Sequence, residues 1–185
     1  MGIAIADAAC EYGAKVILVL GPASIMPENH NVKVIHVSDA ESMASECISR
    51  FPECDIAILS AAVADFTPLS PSKVKIKKVA GEMVIELKPT TDIALKLGQM
   101  KNGNQFLAGF ALETNDEIKN AKNKLKKKNL DIIVLNSLND EGAGFGHDTN
   151  KITIFDRNNN IDKFELKSKD EAAKDILDKI VSMIK

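Results

Sequence analysis

Short runs of Val, Ile and Leu alternate with helical patterns along most of the chain, and this alternation limits the possible folds more than any other feature. Strand-length runs fall at 15–20, 32–37, 55–60, 83–87, 105–109 and 131–135. Helical periodicity falls at 3–12, 39–50, 92–101, 116–129 and 169–184. Runs that are apolar on both faces suit parallel strands covered by helices on each side. The pattern therefore predicts an α/β fold, a three-layer Rossmann-like sandwich with a mainly parallel sheet. Ser38 with Glu41, and Ser168 with Glu171, have the spacing of a capping box, which predicts two helix starts. Two regions break the alternation. Residues 66–80 hold Pro68, Pro71 and a lysine cluster, and read as a flap or an extended excursion. Residues 151–156 and 161–166 flank Arg157-Asn-Asn-Asn160, which predicts a C-terminal β-hairpin, since asparagine tolerates positive φ.

The chain has 185 residues, 45% of them hydrophobic and 27% charged, which suits one compact domain spanning 1–185 and argues against disorder. A net charge of -2 gives no case for nucleic acid or a membrane surface as partner. No apolar run is long enough to span a bilayer. Cys10, Cys47 and Cys54 show no CxxC spacing, as expected for reduced thiols in a cytoplasmic protein. The first helical pattern begins at once, with no strand before it. In a doubly wound fold the strand and turn ahead of this helix carry phosphate chemistry, so the natural protein is expected to begin earlier and this domain to be truncated at its N-terminus.

Candidate chemistry concentrates between Ser60 and Thr114. Ser60-Ala-Ala-Val-Ala-Asp65 follows one apolar run, and Gly109-Phe-Ala-Leu-Glu-Thr114 follows another. Small residues past the end of a parallel strand let a ligand approach the backbone, and open α/β sheets bind their ligands at that edge. Lysines occupy four of the six positions 73–78 and six of the ten positions 119–128. On a helix, Ile118, Ala121 and Leu125 form the expected buried stripe, with Lys124 and Lys128 along one margin. Such lysines are either a solvated face or, at the stripe's edge, ligands for a polyphosphate. Asp65 either caps a turn or accepts hydrogen bonds from a ligand. Asp92 is either an ordinary helix-start carboxylate or part of the same site. Phe110 is either core or a stacking surface for a base. His30, His36 and His147 have no metal-ligand spacing, and no intact GxGxxG or P-loop segment is present. A nicotinamide-dependent reductase is thereby disfavoured.

Nine motifs in order resemble the phosphopantothenate–cysteine ligase family: Gly2-Ile-Ala-Ile-Ala-Asp-Ala-Ala9, Leu18-Val-Leu-Gly-Pro22, Ala61-Ala-Val-Ala-Asp65, Lys75-Ile-Lys-Lys78, Asp92-Ile93, Gly109 to Thr114, Lys128-Asn-Leu-Asp131, Asn136 and Gly144-Phe-Gly-His-Asp-Thr-Asn150. In most bacteria this ligase is the C-terminal half of a bifunctional coenzyme A biosynthesis flavoprotein, whose other half is an FMN-binding decarboxylase. The resemblance implies a two-step reaction. The carboxylate of 4'-phosphopantothenate attacks the α-phosphate of CTP and releases pyrophosphate; cysteine then displaces the cytidylate to form an amide. It implies Mg2+ on the triphosphate and a homodimer. By position it implies nucleotide contacts at Leu59, Ser60, Ala61, Asp65, Thr91, Asp92, Ile93, Ala94, Phe110, Lys124 and Lys128. It also implies substrate contacts at Ala61 and Ala62, and a catalytic flap lysine at Lys75, which touches the nucleotide phosphates. Thr90-Thr91 stands where the family usually has Asn-Pro. The family's phosphate loop and its intermediate-binding asparagine precede the first residue here, which leaves a catalytically incomplete nucleotide-binding module as the alternative.

Overall fold

The computed structural model describes residues 1–72, 74–77, 81–113, 116–137 and 148–184. Lys73, Lys78, Thr114 and the segment Gly144–His147 of the motifs above lie outside them. The main sheet has five strands in the order β10-β9-β7-β6-β3. Its parallel part is β3 (Ile56–Leu59), β6 (Phe106–Glu113) and β7 (Ile132–Ser137). β9 (Ile152–Asp156) runs antiparallel to β7, and β10 (Ile161–Lys163) folds back on β9 as the expected hairpin. Asn159 supplies the positive φ of that turn.

Side-chain alternation on these strands divides the core in two. Ile132 and Val134 of β7, Phe106 and Ala108 of β6, and Ile152 and Ile154 of β9 face one layer. Ile133, Leu135, Leu107 and Phe155 face the other. The period-2 geometry of a strand requires this split once both faces are covered. Helices α1 (Gly2–Glu11) and α5 (Lys169–Ile184) cover the first face. Helices α2 (Ala40–Arg50), α3 (Ile93–Met100) and α4 (Glu117–Lys127) cover the second. The molecule is the α/β three-layer sandwich that the alternation predicts.

β1 (Ile17–Leu20) and β2 (Lys33–His36) form a separate two-stranded parallel sheet. β4 (Phe66–Pro68) pairs antiparallel with β5 (Leu87–Pro89), so the segment read as a flap starts in a two-stranded arm. The expected strand at 83–87 is therefore displaced: only Leu87 belongs to a strand, and Met83, Val84 and Ile85 are exposed. Their alternation with polar residues is weak, and pairing with β4 fixes the register instead. β8 (Thr149–Asn150) and β11 (Lys167–Ser168) make a minor antiparallel pair.

The capping signals fared unequally. Ser168 and Glu171 form the expected box: Glu171 accepts from the Ser168 amide at 3.0 Å, and Ser168 Oγ accepts from the Glu171 amide at 3.2 Å. At α2 the cap is one residue later, with Asp39 accepting from the Ser42 amide at 2.8 Å and Ser42 Oγ accepting from Asp39 at 3.3 Å. A carboxylate at the N-cap outcompetes the hydroxyl of Ser38, which donates to Asp39 instead.

A buried ionic cluster fastens the entry to β7. Asp131, 3% exposed, accepts from Lys101 Nζ at 2.9 Å and from the Leu107 amide at 2.6 Å, and it pairs with Arg157. A second buried carboxylate, Asp156, binds the Asn158 and Asn160 amides of the hairpin turn and Lys179 of α5.

Candidate nucleotide site

A cavity of about 340 Å³ opens beside the end of β3, and most of the candidate residues line it. The chain leaving β3 contributes Leu59, Ser60, Ala61 and Asp65. The start of α3 contributes Thr91, Asp92, Ile93 and Ala94, and β6 contributes Gly109 and Phe110. From α4 come Lys124 and Lys128, whereas Lys119, Lys122, Lys126 and Lys127 are not among the walls. The helical spacing thus separates the two lysines from the rest of the cluster as the stripe-edge argument expects. Ala121 and Leu125 are buried beneath them, but Ile118, in the first turn of α4, is half exposed.

Ala62 and Lys75 do not line the cavity. Lys75 is exposed on the arm. Lys75 therefore does not converge with Lys124 and Lys128 on one cavity in this conformation. Thr90 closes the base of the arm: its hydroxyl donates to the Ala64 carbonyl at 2.6 Å and its amide to the Asp65 carbonyl at 2.9 Å. These bonds hold Asp65 and Thr91 on the cavity wall at opposite ends of the arm. The sequence contained one hint, a Thr-Thr pair between an extended run and a helix start, but the partner lies 26 positions away and local reading could not supply it.

Asp92 and Lys128 form the polar centre of the wall. Asp92 caps α3 by accepting from the Leu95 amide at 3.1 Å, and Lys128 Nζ donates to it at 3.0 Å. Burial disfavours the Asp92 anion, but the Leu95 amide and the Lys128 ammonium outweigh it and hold the carboxyl below its ordinary range. Asp92 therefore caps the helix and also lines the cavity.

Lys128 is held in place by an unusually close helix approach. A methyl at Gly98 of α3 would collide with the Lys128 carbonyl, and Asn129 Nδ2 donates to the Gly98 carbonyl at 2.9 Å. Asn129 takes a positive φ to turn the chain from α4 toward β7. Only glycine lets α3 and the end of α4 meet at this distance. Gly98 is not on the cavity's polar wall and was not legible as a site residue; its role is visible only in the tertiary contact.

The cavity does not end at this wall. It extends down between β1 and β3, lined there by Ile17, Leu18 and Val19 on one side and Ile56, Ala57 and Ile58 on the other. Among the described residues no group of three or more His, Cys, Asp and Glu is placed to hold a metal ion. No helix of the described residues is long and apolar enough to cross a membrane.

Residues 1–184 match the family model for the DNA/pantothenate metabolism flavoprotein C-terminal domain. The chain belongs to this family. It is 62% identical over 184 residues to a cysteine/cysteine sulfinic acid decarboxylase of an unidentified prokaryote, covering 100% of this chain and 51% of that protein. It is 43% identical over 185 residues to the coenzyme A biosynthesis bifunctional protein CoaBC of Bacillus subtilis, covering 100% of this chain and 45% of that one. The chain thus spans about half the length of both curated relatives. Among solved structures it resembles the C-terminal domain of a CoaBC protein, with 34% identity and a TM-score of 0.81, covering 99% of this chain and 81% of the other. Within the flavoprotein C-terminal domain family, then, the chain has the fold of the CoaBC C-terminal domain, with its cavity at the end of β3.

Proposed function

We propose that this flavoprotein C-terminal domain binds CTP and serves the ligation of 4'-phosphopantothenate to cysteine in coenzyme A biosynthesis, in the cytoplasm. The observation that carries the proposal is that Lys124, Lys128 and Asp92 line the same cavity as Leu59, Ser60 and Ala61 at the end of β3. Support also comes from the 43% identity to a coenzyme A biosynthesis bifunctional protein.

The chemistry explains why these residue types belong together. A carboxylate is a poor acyl donor until a phosphoryl group makes it reactive. Bringing a carboxylate to a triphosphate joins two anions, and fixed ammonium groups offset the repulsion where charge builds up. Lys124 and Lys128 would meet the triphosphate, Mg2+ would arrive bound to it, and the small side chains of Ala61 and Ala62 would leave backbone groups open to the base and the acyl chain. Asp65 would accept from the sugar or base, and Phe110 would pack against it. Lys75 stands outside the cavity wall, so its part as the flap lysine requires the arm to close over the nucleotide. Exposed apolar residues on the arm, among them Leu69, Ile76, Val84 and Leu87, offer the contact surface of a homodimer. FMN would belong to a decarboxylase half fused to this domain.

The test is pyrophosphate release by the protein joined to its natural partner half, with and without each substrate. Release that requires both CTP and phosphopantothenate is expected, with amide formation on adding cysteine. Lys75→Ala should slow turnover by about 100-fold, the scale of one lost charge-stabilising donor. Carbon dioxide release from cysteine in the absence of any CTP consumption would transfer the assignment to decarboxylation. Tight CTP binding without turnover would favour a nucleotide-binding module.

A further inference from the structure

β4 and β5 make a ribbon of two strands, in which Phe66 pairs with Pro89, Thr67 with Lys88 and Pro68 with Leu87. Pro68 and Pro89 have no amide to donate to the ladder. Phe66, Leu69 and Leu87 are 59%, 50% and 58% exposed, so the ribbon gains little from packing. Two strands of this kind are marginally stable in water, and their direction has to be set where they join the sandwich. Thr90 stands at that junction and bonds to two consecutive residues of the opposite limb. Its hydroxyl donates to the Ala64 carbonyl at 2.6 Å and its amide to the Asp65 carbonyl at 2.9 Å. Further out, the Leu69 amide donates to the Glu86 carbonyl at 2.9 Å.

We propose that Thr90 is a positioning residue: its hydroxyl clasps the base of the arm and sets the direction in which the arm leaves the cavity. Two observations select it. First, the arm meets the cavity at this residue, since Asp65, Thr90, Thr91 and Asp92 all line it. A change at the clasp therefore moves the arm relative to the Asp92–Lys128 pair. Second, this chain has Thr90-Thr91 where the family usually has Asn-Pro. A proline at 91 would fix its own φ and hold residue 90 extended. Without the ring the backbone regains that freedom, and the hydroxyl bond, which joins positions 26 apart, supplies the restraint instead. The amide bond to Asp65 by itself is one tie, about which the limbs can swing. A second bond one residue along resists that rotation. Lys75 lies between β4 and β5 in the chain, so the clasp governs where that lysine can reach. The part of Lys75 in turnover rests on the proposed ligase function; the clasp itself does not.

The experiment uses the domain joined to its natural partner half, as wild type, Thr90→Val and Thr90→Ser. Valine keeps the shape and the amide bond but loses the hydroxyl, whereas serine keeps the hydroxyl. Hydrogen exchange at the amides of Thr67, Leu69 and Lys88 is the first readout. It should quicken by about five-fold with valine, the scale of one neutral hydrogen bond, and return to the wild-type rate with serine, while β7 and α5 stay unchanged. The second readout is kcat of CTP-dependent ligation. It should fall by about five-fold with valine and recover with serine. Once Lys75 is already alanine, valine at 90 should have no further effect, because the clasp acts through the arm that carries that lysine. Unchanged arm exchange in Thr90→Val, or a Thr90→Ser variant no better than it, overturns the proposal. So does an equal loss of kcat with and without Lys75. A wild type that performs no ligation removes the functional reading alone, and the exchange rates then decide the clasp by themselves.

Discussion

Lys128 contributes in two ways to the same few ångströms of surface. Its carbonyl meets Gly98, and its ammonium holds Asp92 at 3.0 Å. In the proposed nucleotide complex, the triphosphate would share Lys128 with the Asp92 carboxylate. Lys124, one turn earlier, completes the cationic side of the cavity. Replacing Lys124 and Lys128 together with alanine should weaken CTP binding by about ten-fold per lysine, since a hydrogen bond to a charged group contributes about 1.5–3 kcal/mol. Replacing Lys126 and Lys127, which lie off the cavity, should change it by less than about two-fold, the scale of screened surface charge. Calorimetric titration at one fixed salt concentration distinguishes the two, and equal losses would return the whole cluster to the solvated-face reading. The margin position of Lys124 and Lys128 was legible from helical spacing. The ion pair with Asp92 was not, because it joins positions 36 apart that no local pattern relates.

Between elements, the close approach of α3 to the end of α4 and the Asp156 cluster are the contacts most exposed to single substitutions. Gly98→Ala pushes a methyl into a backbone carbonyl that cannot rotate away. It should cost about 1–3 kcal/mol and move Lys128 off Asp92, seen as a lower denaturation midpoint together with weaker CTP binding. Asp156 is 2% exposed and joins the hairpin turn to α5 through Lys179. Asp156→Ala leaves that lysine without one partner and the turn amides unmatched, at a cost of about 3 kcal/mol in a urea titration. Burial alone would raise the Asp156 carboxyl, but the Asn160 side chain and the Lys179 ammonium prevail and hold it below its ordinary 3.8. A carboxyl lowered by folding stabilises fully above 3.8, and that part of the stability is lost as the pH falls through the folded-state value. The acid limb of the wild-type stability curve should therefore flatten in the alanine variant. The five helices and the hairpin were legible because their periods and turn residues are local. The α2 cap shifted by one residue because Asp39 and Ser38 compete for the same amides. The run at 83–87 misled because apolar side chains alone do not reveal whether a partner strand exists.

For the whole molecule, the two-layer core and the arm have opposite characters. Ile132 to Leu135 of β7 and Ala172, Ala173, Ile176, Leu177 and Ile180 of α5 are buried, whereas the arm carries Phe66, Leu69, Val84 and Leu87 in solvent. If the arm is the dimer contact, Val84→Glu with Leu87→Glu should convert dimer to monomer in light scattering without lowering the melting temperature, since both side chains are exposed at 86% and 58%. A monomeric wild type would remove that role. The alternation of runs and helices specified the sandwich, but which strands pair was not legible from it: β1 and β2 form a sheet of their own. That separation has a consequence for how the protein wears out. Heat or a protease would find its first foothold in the small sheet, which is attached mainly through its helices. The block of β6, β7, β9 and α5 would outlast it as a trimmed remnant.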